Sequence, residues 1–100
     1  MNMADQHGDQ LFFRLCSDHL SVEAIPKRRL RIDFNGIKQN LEGNYRVLMW
    51  TPYFVVLRVI SGVEEITVRR DGRMIIRKAG SDEKARLEAM RLFGLLDATK

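Results

Sequence analysis

The sequence predicts an α+β domain: an antiparallel sheet of four to five strands, with a C-terminal helix packed on one face and an N-terminal helix. Short apolar and β-branched runs separated by turn residues fill the middle of the chain, as is typical of strands. The dipeptide Asp71-Gly72 between two such runs predicts a tight hairpin. From Ser81 onward, apolar side chains recur at helical spacing. Because 100 residues support one core, we expect residues 1–8 to be a disordered tail and residues 9–100 to be a single domain.

The N-terminal helix is predicted from Asp9 to about Leu20. Asp9 suits the N-cap position, and Leu11 and Leu15 fall at helical spacing. Pro26 cannot continue a helix, so we expect none to run past it.

Five strands are expected after that proline. They cover residues 30–34, 45–50, 53–60, 64–70 and the run that follows Gly72. The segment 36–43 is short, and we expect it to form a loop or one helical turn. The C-terminal helix opens at Ser81 with two acidic residues in its first turn, where the helix dipole favours negative charge.

The hairpin has a predicted register. A two-residue loop at Asp71-Gly72 places Arg70 opposite Arg73, and two facing arginines suggest solvent or an anion between them. On the second face of the sheet this register places Arg69, Met74, Ile76 and Lys78.

That second face is part apolar and part cationic, whereas a fully solvated face of an antiparallel sheet would be mostly polar. We therefore expect something to cover it. One possible cover is the N-terminal segment, because residues 1–25 carry a net charge of −3 against the cationic middle of the chain. The other is nucleic acid.

The charge pattern points to candidate binding residues. The net charge is +4, but residues 26–78 hold twelve basic and five acidic side chains. Arginine suits phosphate and stacks on flat rings, and aromatic side chains interleaved with bases suit single-stranded nucleic acid. The candidate binding residues are Lys27, Arg28, Arg29, Arg31, Phe54, Arg58, Arg69, Arg73, Met74 and Lys78.

Catalysis finds little support. Cys16, His7 and His19 are the candidate nucleophile and bases, and no third orienting group or set of four zinc ligands accompanies them. We expect no catalytic residue, no metal and no cofactor. The longest apolar run, residues 54–57, is too short for a membrane span, and the first twenty residues show no secretory signal, so a cytoplasmic protein is expected.

Residues 51–96 resemble part of a known family. A strand marked by Thr51-Pro52, a hairpin with Asp71-Gly72, and Ala79-Gly80 opening an acid-led helix are similar to the end of one repeat of the TATA-box-binding protein. The resemblance implies that the exposed sheet face would face DNA, with Phe54 near the place of a wedge residue.

The function expected from these features is a small non-enzymatic binding module that engages nucleic acid through a cationic, partly apolar sheet face. The alternative is a protein-interaction or homodimerisation module, in which the sheet face or an edge strand meets another chain or an acidic protein. In either case the sequence predicts no membrane partner.

Overall fold

The computed structural model describes residues 10–15, 21–77 and 80–97, and it confirms an α+β fold with an antiparallel sheet. In this part of the chain the elements are β1 (Leu11–Leu15), β2 (Ser21–Pro26), α1 (Phe34–Asn44), β3 (Tyr45–Trp50), β4 (Phe54–Val59), β5 (Glu65–Arg69), β6 (Met74–Arg77) and α2 (Asp82–Asp97). The six strands are ordered β1-β2-β6-β5-β4-β3, and all neighbours are antiparallel. The sheet is therefore larger than the four or five strands predicted.

The core lies on one face of this sheet, beneath both helices. Alternate residues of β4 and β5 are buried, as expected for strands with one covered face. The strand side chains in the core are Leu11, Val22, Ala24, Tyr45, Val55, Leu57, Val59, Ile66, Val68, Met74 and Ile76. The helices add Phe34, Ile37 and Leu41 from α1 and Ala85, Ala89, Leu92, Phe93 and Leu96 from α2. The opposite face carries neither helix.

The prediction of an N-terminal helix over residues 11–15 is wrong, because these residues form the edge strand β1. Leu11 pairs with Pro26 and Leu15 with Val22, so β1 and β2 form a hairpin that extends the sheet. The apolar residues match either period over so short a run, and pairing with β2 decides between them. The rest of that predicted helix, like the predicted tail 1–8, lies outside the described residues.

The prediction of a strand over residues 30–34 is also wrong. Residues 29–33 have no regular structure, and Phe34 begins the 11-residue helix α1 rather than ending a strand. Asp33 caps this helix: its Oδ1 accepts a hydrogen bond of 3.1 Å from the backbone N–H of Asn35. Ile32 and Phe34 are both buried, but Ile32 lies in the irregular segment before the helix and Phe34 lies in the first turn of α1.

The register of the β5–β6 hairpin differs from the prediction by one residue. Arg69 lies opposite Arg73, because the loop has three residues and Gly72 adopts a φ of +92°. A shift of one residue exchanges the faces of a strand. Met74 and Ile76 therefore enter the core, and Ile75 lies on the uncovered face.

The C-terminal helix is confirmed as α2, packed on one face of the sheet. The Ser81 hydroxyl accepts a hydrogen bond of 3.1 Å from the backbone N–H of Lys84. Lys84 in turn forms an ion pair with Glu64, in the loop between β4 and β5. This pair ties the start of α2 to the end of the sheet where β4 finishes.

Candidate functional site

The uncovered side of the sheet, here called the open face, has an apolar centre. Val56, Thr67 and Ile75 lie side by side across β4, β5 and β6. None of the three is fully buried, since neither helix reaches this side. Other members of the open face are Phe12, Ile25, Met49 and Phe54, with Arg14, Glu23, Arg46, Arg58, Glu65, Arg69 and Arg77 among them.

The two ends of the open face differ in charge. Towards the end where β4 finishes, basic and acidic side chains pair across strands. Arg58 donates to Glu65 at 2.8 Å at that end. Level with Ile75, in the middle of the strands, Arg14 of β1 forms an ion pair with Glu23 of β2. These arginines are already partnered by carboxylates, so they are poor candidates for binding an external anion.

The opposite end of the sheet, here called the basic end, brings three loops together, two of which carry basic residues. These loops are residues 27–33, the β3–β4 turn and the β5–β6 turn. Their basic side chains, with the flanking strand residue Arg69, are Lys27, Arg28, Arg29, Arg31, Arg69, Arg70 and Arg73. Within the described residues, the only acids in these segments are Asp33 and Asp71.

The backbone of Arg70 joins the three loops. Its carbonyl accepts from the N–H of Ile32 at 2.9 Å, and its N–H donates to the carbonyl of Tyr53 at 2.9 Å. Residues far apart in sequence are thereby fixed side by side. The basic end is therefore a built feature of the fold and not a set of independent loops.

Asp71 positions two of the arginines. Its Oδ2 lies 3.4 Å from Nη2 of Arg69 and 3.8 Å from Nε of Arg73, while its Oδ1 accepts from the backbone N–H of Arg73 at 3.0 Å. Solvent or an anion was expected between Arg70 and Arg73. Arg69 faces Arg73 instead, and the Asp71 carboxylate of the turn lies near both guanidinium groups. One carboxylate shared by two guanidinium groups leaves most of their donors available.

An open cavity of about 520 Å³ lies where the basic end meets the open face. It is lined by Tyr53, Phe54, Thr67, Arg69, Arg70 and Asp71. The Tyr53 side chain is 71% exposed. The Thr51 hydroxyl holds this turn by accepting from the N–H groups of Tyr53 at 3.2 Å and Phe54 at 2.9 Å. A flat apolar wall therefore stands beside two arginines.

Two further cavities flank the first. One of about 530 Å³ lies between α1 and the β3–β4 turn and includes Arg31, Trp50 and Arg70. The other, of about 370 Å³, includes the 27–29 basic run and Arg73. The first cavity shares Arg70 with one neighbour and Asp71 with the other, so all three surround the β5–β6 turn.

The predicted site residues do not all lie at the basic end. Lys27, Arg28, Arg29, Arg31, Phe54, Arg69 and Arg73 lie at or next to the basic end, and Lys27 also sits 4.9 Å above the ring of Phe12. Arg58 lies at the other end with Glu65. The prediction that Met74 is a binding residue is wrong, because its side chain is 0% exposed and packs in the core. Lys78, like Cys16, His7 and His19, lies outside the described residues.

Sequence reasoning missed Tyr53 and Arg70. It placed Tyr53 inside the strand predicted over residues 53–60, and it paired Arg70 with Arg73, whereas Tyr53 and Arg70 both lie in turns. The Thr51-Pro52 pair was the available signal, because a proline that ends one strand leaves the next residue in a turn.

The groups with shifted pKa values lie away from the basic end. Burial raises the pKa of Tyr45 to about 12, helped by the nearby carboxylate of Glu88. The hydrogen bond from Lys84 lowers the pKa of Glu64. Both residues lie at the other end of the sheet, near α2, and serve its packing.

No protein-family model, curated protein or solved structure matches this chain. Among residues 10–15, 21–77 and 80–97, no helix has the length and apolar character needed to cross a membrane. The same residues hold no cluster of three histidine, cysteine or acidic side chains that could bind a metal ion.

Proposed function

We propose that this protein is a non-enzymatic module that binds single-stranded nucleic acid at the basic end and the adjoining part of the open face. The observation that carries the proposal is the cavity where Tyr53 and Phe54 stand beside Arg69 and Arg70. Proteins that hold single strands combine aromatic stacking with a cationic track for the backbone. Both parts occur here within one cavity.

The charge around the cavity favours a polyanion. Seven basic residues and two acidic residues come together at the basic end, and one of those acids, Asp33, caps α1 through Oδ1. Arginine offers a planar fork of donors that suits phosphate. The flanking cavities continue the cationic surface on both sides, as a strand of several nucleotides would require.

The exposed aromatic ring favours single strands over a duplex. Tyr53 is held by a turn and not by the core, so its ring can stack on an unpaired base. Bases inside a duplex already stack on each other and cannot do this without opening. The resemblance of residues 51–96 to a TATA-box-binding-protein repeat also supports a sheet that faces nucleic acid.

Binding of fluorescent homopolymeric oligonucleotides, followed by anisotropy over a series of salt concentrations, tests the proposal. We expect affinity to fall steeply with salt, and Arg70→Glu to weaken binding about tenfold or more and to reduce the salt slope. Tyr53→Ala should weaken binding several-fold while leaving the salt slope unchanged, because stacking releases no counterions.

Arg46→Glu is the matched control, since it makes the same charge change on the open face but at the opposite end of the sheet from the basic end. It should weaken binding much less than Arg70→Glu. Equal losses for the two variants would mean non-specific attraction to a basic protein and would overturn the site. Tighter binding to a duplex than to a single strand of the same sequence would overturn the preference for single strands.

A further inference from the structure

The edge strand β1 has backbone groups that point away from the sheet. The hydrogen bond of 2.9 Å from the N–H of Lys27 to the carbonyl of Gln10 fixes the phase of the β1–β2 ladder. Bonded and non-bonded pairs alternate in an antiparallel ladder. Phe12 and Arg14 therefore bond to β2, while the N–H and C=O groups of Leu11, Phe13 and Leu15 face outward.

The position of Pro26 agrees with this alternation of hydrogen-bonded and non-bonded pairs. It lies opposite Leu11 in a non-bonded position, so the N–H that proline lacks is not needed by β1. β6 begins at Met74, opposite Ala24, and does not reach Pro26 either.

The two edges of the sheet are protected unequally. β3, at one edge, carries a bulge between Val47 and Met49, and bulges discourage pairing with another chain. β1, at the other edge, runs in regular register from Leu11 to Leu15 without a bulge, proline or lysine. Its one charge, on Arg14, is already paired with Glu23.

The sequence of β1 is complementary to itself. In an antiparallel pair centred on Phe13, Leu11 of one copy faces Leu15 of the other, and both lie on the core side. On the open face, Phe12 of each copy faces Arg14 of the other, which brings a ring and a guanidinium group together. No two like charges face each other in this register. The outward groups of Leu11, Phe13 and Leu15 would then form six backbone hydrogen bonds.

We propose that β1 is a homodimerisation edge, at which a second copy of this chain pairs antiparallel about Phe13 and extends the six-stranded sheet into a continuous one of twelve strands. Phe12 is 58% exposed and Leu15 46% exposed, and pairing would cover both. Along the core side, Arg86 of α2 lies 5.5 Å from the ring of Phe13, so the two α2 helices would approach each other above the new pair. The two open faces would join into one surface.

Sedimentation velocity over the micromolar range, without nucleic acid, tests this pairing. We expect a concentration-dependent shift from 11.6 kDa to twice that mass. In the same samples, the outward amides of Leu11, Phe13 and Leu15 should exchange with deuterium more slowly at high concentration. A monomer at every concentration would overturn the proposal, and would leave nucleic-acid binding at the basic end unaffected.

Two matched variants at one exposed position distinguish pairing in this register from non-specific hydrophobic association. Phe12→Arg would place an arginine opposite Arg14 of the second copy, twice per dimer, and should raise the dissociation constant about tenfold. Phe12→Glu removes the same ring but places a carboxylate opposite the same arginine, so its dimer should persist. If both variants lose the dimer equally, or neither does, the β1 register is wrong.

Discussion

The carboxylate of Glu64 is buried against Gly62 and bonded to Lys84, so the loop between β4 and β5 is tied to the first turn of α2. The Glu64 side chain is only 2% exposed, whereas that of Lys84 is 58% exposed. Its Oε2 has no hydrogen-bond partner among the described residues. A Cβ atom at Gly62 would collide with that oxygen, so a side chain at residue 62 would displace the Glu64 carboxylate.

The Glu64–Lys84 pair predicts a loss of stability in acid. The pKa of Glu64 is lowered from 4.5, chiefly by the hydrogen bond from Lys84, so the folded state binds this proton more weakly than the unfolded state does. Its contribution is complete above the unfolded pKa and is lost as pH falls through the folded pKa. Urea unfolding at neutral and acidic pH should show this loss, and Glu64→Gln should flatten that part of the profile. If Glu64→Gln leaves the dependence of unfolding free energy on pH unchanged, this prediction is wrong.

Removing Lys84 tests the same pair at neutral pH. Lys84→Met leaves a buried carboxylate without its cation and should lower the free energy of unfolding by about 1–3 kcal/mol. The double variant Lys84→Met/Glu64→Gln should lose less than the sum of the two single variants, since no uncompensated charge remains. Additive losses in urea unfolding would show that the two side chains do not interact.

Tyr45 predicts a second loss of stability, in alkali. Its pKa is raised to about 12, first by burial and then by Glu88, while a tyrosine in the unfolded chain ionises near 10. Stability is therefore complete below about pH 10 and falls as pH rises towards 12. Thermal unfolding between these pH values should show a smaller loss of stability for Tyr45→Phe than for the unmodified protein, because phenylalanine does not ionise. Absorbance of the native protein at the tyrosinate band should show one tyrosine ionising only near pH 12.

Adjacent isoleucines on β6 test the hairpin register. Ile76 is 1% exposed in the core, and Ile75 lies on the open face. Ile76→Ala should cost about 2–5 kcal/mol of unfolding free energy, because it leaves a cavity beneath the helices. Ile75→Ala should cost much less. The two-residue loop predicted from the sequence would reverse this order, so equilibrium unfolding decides between the registers.

Gly72 tests the three-residue loop. Its φ of +92° disfavours any side chain, and a Cβ atom there would lie 2.8 Å from Cδ1 of Leu30 and 2.9 Å from Cγ of Pro26. Gly72→Ala should therefore cost about 1–3 kcal/mol, more than a substitution at an ordinary turn position. Gly43→Ala is the control, because no atom lies within 4 Å of its added Cβ and its φ is helical. A smaller loss at residue 72 than at residue 43 would contradict the loop geometry.

The sequence predicted the elements whose signals are local. The strands β3 to β6 lie within or close to the predicted ranges, because apolar and β-branched runs between turn residues need no partner to be recognised. Helix α2 also begins beside Ser81 as expected, since its cap and its apolar stripe are both contained in one segment. The excess of basic residues in the middle of the chain is likewise a property of the sequence alone.

The remaining elements, the hairpin register and the basic end were decided only by the tertiary structure, because they depend on pairing between distant segments. The residues of β1 fit a helix or a strand until β2 lies beside them, and residues 30–34 fit a strand until Asp33 caps α1. One extra loop residue before Arg73 exchanged the faces of β6 and buried Met74. The basic end exists because the backbone of Arg70 bonds to two loops at once, a relationship that no sequence period encodes.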